Sequence, residues 1–229
     1  MKKMSRKIKL KPLLKNEWVI TLTATLVGVF FALYLNDWSN NRALKNNSEL
    51  AKRNILNELT NNQSEINQAI ISHRELKEIF TFLGESLDDN GGLISRPEII
   101  HDFRSKHPAV IQIKDSIRLD SLTYKYSGEI NLDLNLSQLS LKTIAWKTFL
   151  DTKVSSLYDF DCLMYLETVY NLTEEIKTSN KVLLEYFTGE RDQGHNYTKL
   201  LKHLDLLIDF EEVGMETIEE KNERLKNCG

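Results

Sequence analysis

The chain has 229 residues, a formal net charge of −3 at pH 7 and 41% hydrophobic residues, which allows one ordinary globular domain beside a membrane segment. An acidic balance of this kind gives the chain no electrostatic reason to bind DNA or RNA. It contains two cysteines and no CxxC spacing, which excludes the common cysteine-rich zinc and redox motifs.

The longest uncharged stretch runs from Trp18 to Asn36, nineteen residues. As a helix it would be about 28 Å long, close to the hydrocarbon thickness of a bilayer. Trp18 and Trp38 bracket it, as interface anchors do. No Ala-x-Ala cleavage pattern follows, so we predict an uncleaved transmembrane helix over residues 18–36 rather than a cleaved signal peptide or a buried soluble helix.

Charge is distributed unequally on the two sides of this stretch. Residues 1–17 hold seven basic residues and one acidic residue, a net charge of +6, so the remainder of the chain carries −9. Basic residues beside a membrane span stay on the cytoplasmic side. We therefore predict a single-pass protein of a bacterial inner membrane, with a basic cytoplasmic tail over residues 1–17 and a periplasmic domain over residues 37–229. Contact of the tail with anionic lipid is favoured over nucleic-acid binding.

Small residues recur on one face of the predicted span. Ala24, Gly28 and Ala32 are spaced by four, and this spacing lets two membrane helices approach closely. We predict pairing through this face, with a second copy or with another membrane protein. Chance is the alternative, since glycine and alanine are common in membrane helices.

The segment after the span has a helical pattern. Its apolar residues recur at alternating steps of three and four, as in a bundle or coiled coil, and this predicts a membrane-proximal stalk helix over residues 37–87. Asn62 and His73 fall in the same stripe as its apolar members, Ile55, Leu59, Ile66, Ala69, Leu76, Phe80, Leu83 and Leu87.

Residues 88–136 form the least regular part of the chain. A run of turn formers over residues 88–92 ends the stalk helix, and Ser95 with Glu98 forms a capping-box pattern that predicts a short helix to about Ser105. Alternation over residues 122–126 and 130–136, with Ser127 and Gly128 between, is typical of a small β-hairpin. An extended segment packed on helices would give the same alternation.

Three more helices are predicted, over residues 137–150, 155–188 and 196–226. Trp146, among apolar neighbours, is expected to be a core anchor. A short turn over residues 189–194 should make the two long helices antiparallel neighbours. The predicted fold is mainly α, with one N-terminal transmembrane helix that continues into an elongated antiparallel helical bundle. A small β-hairpin is one of the two interpretations of the alternating segment.

Several short motifs resemble those of a known family. The span ends in Leu35-Asn36-Asp37-Trp38-Ser39-Asn40-Asn41-Arg42, and Thr143-Ile144-Ala145-Trp146-Lys147-Thr148-Phe149 and Tyr170 follow downstream. This pattern is similar to a domain-of-unknown-function family of single-pass bacterial inner-membrane proteins with an Asn-x-Trp-x-x-x-Arg segment after the membrane helix. The resemblance implies single-pass anchoring and a helical domain, and it implies no activity.

No catalytic, cofactor-binding or metal-binding residues are predicted. The GxSxG, GxxxxGK[ST], HExxH and GxGxxG motifs are absent. Ser86, Asp88 and Asn90 have calcium-loop spacing but lack the final glutamate ligand, so a tight acidic turn is favoured. His73 is expected to be a hydrogen-bonded core histidine rather than a pH sensor.

The remaining polar and sulfur-containing residues give further expectations. His101 and His107 are poorly spaced for a ligand pair. Adjacent glutamate pairs such as Glu211-Glu212 are predicted to lie on solvated helix faces. Cys162 is expected to be a small buried residue, with a disulfide to Cys228 less favoured.

We therefore predict a membrane-anchored, non-enzymatic interaction, scaffold or sensor-like protein that presents a helical domain outside the cytoplasm. The predicted partners are the lipid bilayer and a second copy or another membrane protein, and no cofactor is expected. The alternatives are a membrane effector subunit of a multi-protein system, or an envelope enzyme with an unrecognised site in the 88–136 region.

Overall fold

The structure is a computed structural model that describes residues 17–132, 139–188, 197–225 and 228. The protein is mainly helical and has a small antiparallel sheet. It divides into two compact units, Met1–Ala51 and Lys52–Gly229. The elements in chain order are α1 (Glu17–Ser86), β1 (Leu93–Ser95), α2 (Pro97–Lys106), β2 (Ile111–Arg118), β3 (Tyr124–Ile130), α3 (Ile144–Leu150), a 3₁₀ turn (Lys153–Leu157), α4 (Phe160–Thr188) and α5 (Tyr197–Leu225).

The described part of the first unit, residues 17–51, is helical throughout. Its apolar side chains make no core of their own: Trp18 is 73% exposed and Phe30 is 70% exposed. Among the described residues, only α1 contains a stretch long and apolar enough to cross a membrane, with a mean hydropathy of 2.0 over 18 residues. This stretch lies where the sequence predicts a membrane helix, near the N-terminus.

In the second unit, one face of α1 is buried between residues 52 and 86. The buried face includes seven of the apolar residues predicted from the three- and four-residue spacing, and Asn62 and His73 are buried with them. Leu87, the eighth, is half-buried and follows the end of the helix. The seven are Ile55, Leu59, Ile66, Ala69, Leu76, Phe80 and Leu83.

Helices α4 and α5 pack on this face of α1 and on each other. Phe80 of α1 contacts Phe187 near the end of α4 and Tyr197 at the start of α5, with ring centroids 5.5 Å and 6.1 Å away. At the other end of the unit, Tyr165 of α4 accepts a hydrogen bond from Arg224 of α5 at 2.7 Å. Therefore α4 runs parallel to α1, and α5 runs antiparallel to both.

The small sheet has the strand order β1-β3-β2, with both pairs antiparallel. A β-hairpin is present, but its turn differs from the predicted one. Asp120 forms the turn between β2 and β3 by accepting hydrogen bonds from the N–H groups of Leu122 and Thr123. Gly128, predicted near the turn, lies inside β3 beside a β-bulge, where a Cβ atom would approach the Gln112 carbonyl oxygen to 2.0 Å. This glycine therefore permits close strand contact.

Helix α2 forms where a short helix is predicted, but the predicted capping box is wrong. Pro97 is in the first turn, and the N-cap residue is Arg96, with no side-chain cap. Ser95 belongs to β1. Because Ser95 pairs within the sheet, it does not serve as the N-cap of α2.

The predicted helix over residues 137–150 is shorter than expected. Residues 137 and 138 lie outside the described residues, and α3 begins only at Ile144. Before it, Leu139, Leu141 and Thr143 are buried in alternation. The Asn62 side chain holds this segment, because its amide donates to the Lys142 carbonyl and accepts from the Lys142 N–H, both at 2.8 Å. The Asn62 side chain thus makes the two backbone hydrogen bonds that a neighbouring strand would otherwise make with Lys142.

An aromatic cluster joins α3 to α4. Trp146 is 9% exposed and stacks on Tyr170 at 5.4 Å between ring centroids, with 5° between the ring planes. Phe149 lies 5.6 Å from Trp146 and meets Tyr158 edge-on at 4.9 Å. Trp146 is therefore part of the core, as a core anchor should be.

Cys162 is buried, as predicted, but it forms a disulfide with Cys228, which was the less favoured alternative. Cys162 in the first turn of α4 is bonded to Cys228, with the Cα atoms 6.1 Å apart. The antiparallel course of α4 and α5 brings the start of one beside the end of the other. Sequence spacing alone does not show this proximity.

Replacement of Trp146 tests the aromatic cluster. We expect Trp146→Ala to lower the free energy of unfolding by about 3–5 kcal/mol, because it removes a buried indole and leaves a cavity against Tyr170. The measurement is urea unfolding of the full chain in mild detergent. Ile144→Ala, on the same helix at a side chain 71% exposed, is the matched control. Equal stability of the two variants would contradict the assignment.

Candidate functional site

A groove of about 800 Å³ lies between α1, α2 and α5 in the second unit. Its floor contains Phe82 of α1 and Phe103 of α2, whose rings are stacked with centroids 3.9 Å apart. Ile99 of α2 also lines the groove and is 50% exposed. The stacked pair positions α2 against α1 and thus forms one wall.

The rim of the groove is charged and unbalanced. Three basic and six acidic side chains line it. Each basic side chain has an acidic partner on the rim: Arg74 pairs with Glu212, Lys77 with Asp205, and Lys106 with Asp102. The remaining three acids are Glu78, Glu85 and Asp209, and within the described parts of the chain none of them pairs with lysine or arginine. The groove therefore presents a net negative surface.

His107 lies at one end of this groove and ends α2. Its side chain is 6% exposed, its Nδ1 atom is 3.5 Å from a carboxylate oxygen of Glu75, and its Nε2 atom is 3.5 Å from one of Glu78. Among the described residues, neither ring nitrogen has a hydrogen-bond partner. The ring packs on Phe103 at 4.9 Å and also borders a second cavity of about 300 Å³. His107 is thus a buried polar group with unsatisfied nitrogens.

Two residues singled out in the sequence form a buried pair near the groove. His73 Nδ1 lies 2.9 Å and 3.0 Å from the two carboxylate oxygens of Glu211, which is completely buried. The expectation of a hydrogen-bonded core histidine is confirmed. The expectation that Glu211 is solvated is wrong, because α5 directs Glu211 into the core and leaves Glu212 on the groove rim. Burial raises the pKa of Glu211, and the hydrogen bond and charge of His73 offset only part of that effect.

A second buried carboxylate holds α3 in place. Glu58 of α1 accepts hydrogen bonds from the Tyr170 hydroxyl at 2.8 Å and from the Ala145 N–H at 2.9 Å. Burial, with the nearby Glu58 carboxylate, raises the pKa of the Tyr170 phenol. Both of these hydrogen bonds to Glu58 come from groups inside the second unit, so Glu58 has a structural role.

The calcium-like loop is a tight turn. Asp88 accepts hydrogen bonds from the N–H groups of Asn90 and Gly92 and pairs with Lys125 of β3. The Lys125 bond, followed by the Gly92 bond, lowers the pKa of Asp88. Gly91 has a φ of 77°, which favours glycine. No group of three or more histidine, cysteine, aspartate or glutamate residues is placed to hold a metal ion in the regions that the structure describes.

The predicted membrane residues lie in the first unit. Ala24, Gly28 and Ala32 are exposed at four-residue spacing on α1, and nothing approaches the Gly28 Cβ position within 4 Å. Trp18 and Trp38 are also exposed, and the Arg42 guanidinium lies 5.7 Å from the centre of the Trp38 ring. The Asn-x-Trp-x-x-x-Arg segment therefore contains one local cation–π contact.

His101 and His107, whose spacing is poor for a ligand pair, lie in different environments, and the structure reveals groove residues that the sequence did not indicate. His101 is exposed, whereas His107 is buried. Glu85 and Asp209 come from helices far apart in the chain. The acidic net charge of the chain is the sequence feature that bears on these two residues, and a net charge does not show which acids lack a basic partner.

Glu211 gives a pH test of the buried pair. Its folded pKa lies above the ordinary value of 4.5, so its contribution to stability is fully present below that pH and is lost as the pH rises through the folded pKa. In Glu211→Gln, an uncharged amide replaces the carboxylate and can still accept from His73. We expect the variant to gain stability relative to the parent as the pH rises from about 4.5 towards neutrality.

The measurement is urea unfolding of parent and variant over this pH range. Glu216→Gln, at an exposed position of α5, is the control and should follow the parent. Parallel profiles for Glu211→Gln and the parent would contradict the assignment.

Comparisons with models of known protein families, with curated proteins and with solved structures found no match.

Proposed function

We propose that the protein is a single-pass, membrane-anchored, non-enzymatic interaction protein whose second unit binds a partner outside the cytoplasm. The observation that carries this proposal is the combination of an unburied apolar stretch in α1 with a folded unit that bears an open, acidic groove. Apolar surface of this extent needs a non-aqueous environment, and an open groove is a usual place for a ligand or a partner. The resemblance to inner-membrane proteins with an Asn-x-Trp-x-x-x-Arg segment supports the same anchoring.

Two observations support a periplasmic second unit. Residues 1–17 carry a net charge of +6, which favours a cytoplasmic N-terminus. The second unit contains the Cys162–Cys228 disulfide, and disulfides persist mainly outside the reducing cytoplasm. Charge and redox chemistry are independent arguments for the same topology. We assign residues 18–36 to the inner membrane.

The antiparallel course of α5 beside α1 and α4 supports the finer fold proposal of an elongated antiparallel bundle. Residues 52–86 of α1, together with α4 and α5, bury continuous apolar faces against one another. A bundle with exposed charged faces suits a scaffold or sensor-like role, because partners can bind its sides without disturbing the core.

We also propose that the membrane segment pairs through Ala24, Gly28 and Ala32. These residues offer a surface that a second helix can approach closely, with open space at Gly28. The hydroxyl groups of Thr21 and Thr25 bond to carbonyls of their own helix four residues earlier, so they leave this surface without unsatisfied donors.

Topology is tested with an exposed cysteine. Ser121→Cys places a thiol in the exposed turn between β2 and β3. We expect a membrane-impermeant maleimide to label it in cells with a permeabilised outer membrane and an intact inner membrane. The parent should stay unlabelled without reductant, because Cys162 and Cys228 are bonded to each other. Lys7→Cys is the matched control and should react only after lysis of the inner membrane. The reverse pattern would overturn the topology.

Pairing is tested by adding bulk to the small-residue face. We expect Gly28→Ile to reduce the cross-linked dimer or hetero-complex in native membranes by about tenfold while insertion is unchanged, because isoleucine favours the membrane but separates the helix backbones. Val29→Ile, at the neighbouring position, is the control. An unchanged complex in Gly28→Ile would remove this pairing face. Affinity capture in mild detergent then identifies what is bound.

A further inference from the structure

We propose that the groove between α1, α2 and α5 binds a basic segment of a partner protein, and that a lysine or arginine of that segment bonds to Glu78 beside His107. The inference rests on the proposed function, because it names the chemistry of the partner. It further implies that protons compete with the partner for this position.

The first argument is charge. The basic side chains on the rim are neutralised by Glu212, Asp205 and Asp102. Glu78, Glu85 and Asp209 retain uncompensated charge at the same groove. A basic segment complements these three charges, whereas an acidic segment would meet no cation that lacks a partner on the groove.

The second argument is the unsatisfied histidine. A neutral imidazole has one N–H donor and one acceptor nitrogen, and both nitrogens of His107 face carboxylate oxygens. When Nδ1–H points to Glu75, the lone pair of Nε2 points to Glu78, and two acceptors oppose each other across 3.5 Å. A cationic N–H group of the partner that bonds to the groove side of Glu78 would offset this contact between two acceptors, because it places a positive charge beside them.

The groove floor suits the remainder of such a side chain. Lysine and arginine carry aliphatic stems that pack on apolar surface while the charged group bonds elsewhere. Ile99 provides half-exposed aliphatic surface, and the stacked Phe82 and Phe103 lie beside it. The volume of about 800 Å³ accommodates several side chains of a peptide segment.

Protonation of His107 changes this position. The imidazolium has two donors, which would bond to Glu75 and Glu78 and occupy the acceptors that the partner needs. Around the ring, α1 contributes Glu75 and Glu78, α2 contributes Lys106 with its partner Asp102, and α5 contributes Asp209 at the groove. The second cavity adds no further charged side chain beyond Glu75 and Lys106. Acidification should therefore weaken binding of the basic segment.

The test uses the full chain in nanodiscs of zwitterionic lipid and three blocked, fluorescent 14-residue peptides. The peptides share a leucine pattern and carry arginine, glutamine or glutamate at the other positions. Affinity is measured by fluorescence anisotropy. We expect binding of the arginine peptide alone, weakened about tenfold by the triple variant Glu78→Gln, Glu85→Gln and Asp209→Asn. The matched control removes three exposed charges elsewhere, with Glu167→Gln, Glu175→Gln and Glu216→Gln, and should bind as the parent does.

The pH arm compares the parent with His107→Gln. When the pH is lowered until His107 is protonated, the parent should lose about fivefold in affinity. His107→Gln should lose less than about twofold over the same pH range, because glutamine has no group that takes up a proton there. Circular dichroism and thermal melting verify that each variant is folded. Should His107→Gln fail to fold, Glu78→Gln alone is used, and it should likewise remove most of the pH dependence.

Equal weakening in the triple variant and its control would show attraction to the acidic surface in general and would overturn the inference. So would binding of the glutamate peptide, or a pH dependence that persists in His107→Gln. These outcomes are distinguishable from failure of the proposed function. If cross-linking in native membranes recovers a specific partner while the arginine peptide does not bind, only the groove assignment fails.

Discussion

The structure of the second unit depends on one face of α1 between Lys52 and Ser86. Apolar side chains of this face form the core with α4 and α5, and its polar side chains fix the segments between them. Asn62 holds the extended backbone at Lys142, and Glu58 holds the start of α3. Burying polar groups costs free energy unless they are hydrogen-bonded, and once hydrogen-bonded they specify one arrangement. This face of α1 thus determines both how the core packs and where the connecting segments lie.

The same dependence explains the position of the groove. Phe82, on the flank of the buried face, stacks with Phe103 and places α2 beside α1. Helix α5 is placed on the other side by Glu211 and its contact with His73. The groove lies between these two contacts. Its rim is charged because the exposed faces of the surrounding helices carry charged side chains. Of the buried histidines on the two sides, His73 has a hydrogen-bond partner and His107 has none among the described residues.

Periodicity along the sequence predicted the long helices well, because a helix that buries one face must repeat its apolar residues at that spacing. The stripe from Ile55 to Leu83 and the bounds of α5 follow directly. The errors share a cause: tertiary contacts replaced a local preference. Asn62 converts residues 139–143 into an extended segment, β1 takes Ser95 from the capping box, and a bulge uses Gly128 inside a strand.

The candidate site was less predictable for a related reason. Its chemistry depends on which carboxylates lack a partner, and pairing across helices depends on packing. Glu211 and Glu212 are neighbours in sequence, yet one is buried and the other lies on the rim. The Cys162–Cys228 bond likewise depends on the antiparallel course of α4 and α5, which two isolated cysteines do not reveal.

That disulfide also affects the unfolded chain. It closes a loop over a sequence separation of 66, which contains nearly all of α4 and α5, and loop-closure entropy of this size corresponds to about 4 kcal/mol. The ends of the two helices stay tethered even when their packing on α1 is lost. Pairing of α4 with α5 then begins from a closed loop, whereas docking on α1 must begin from a more open chain. In oxidised protein, α4 and α5 should therefore form a partly organised pair first, and α1 should complete the core afterwards.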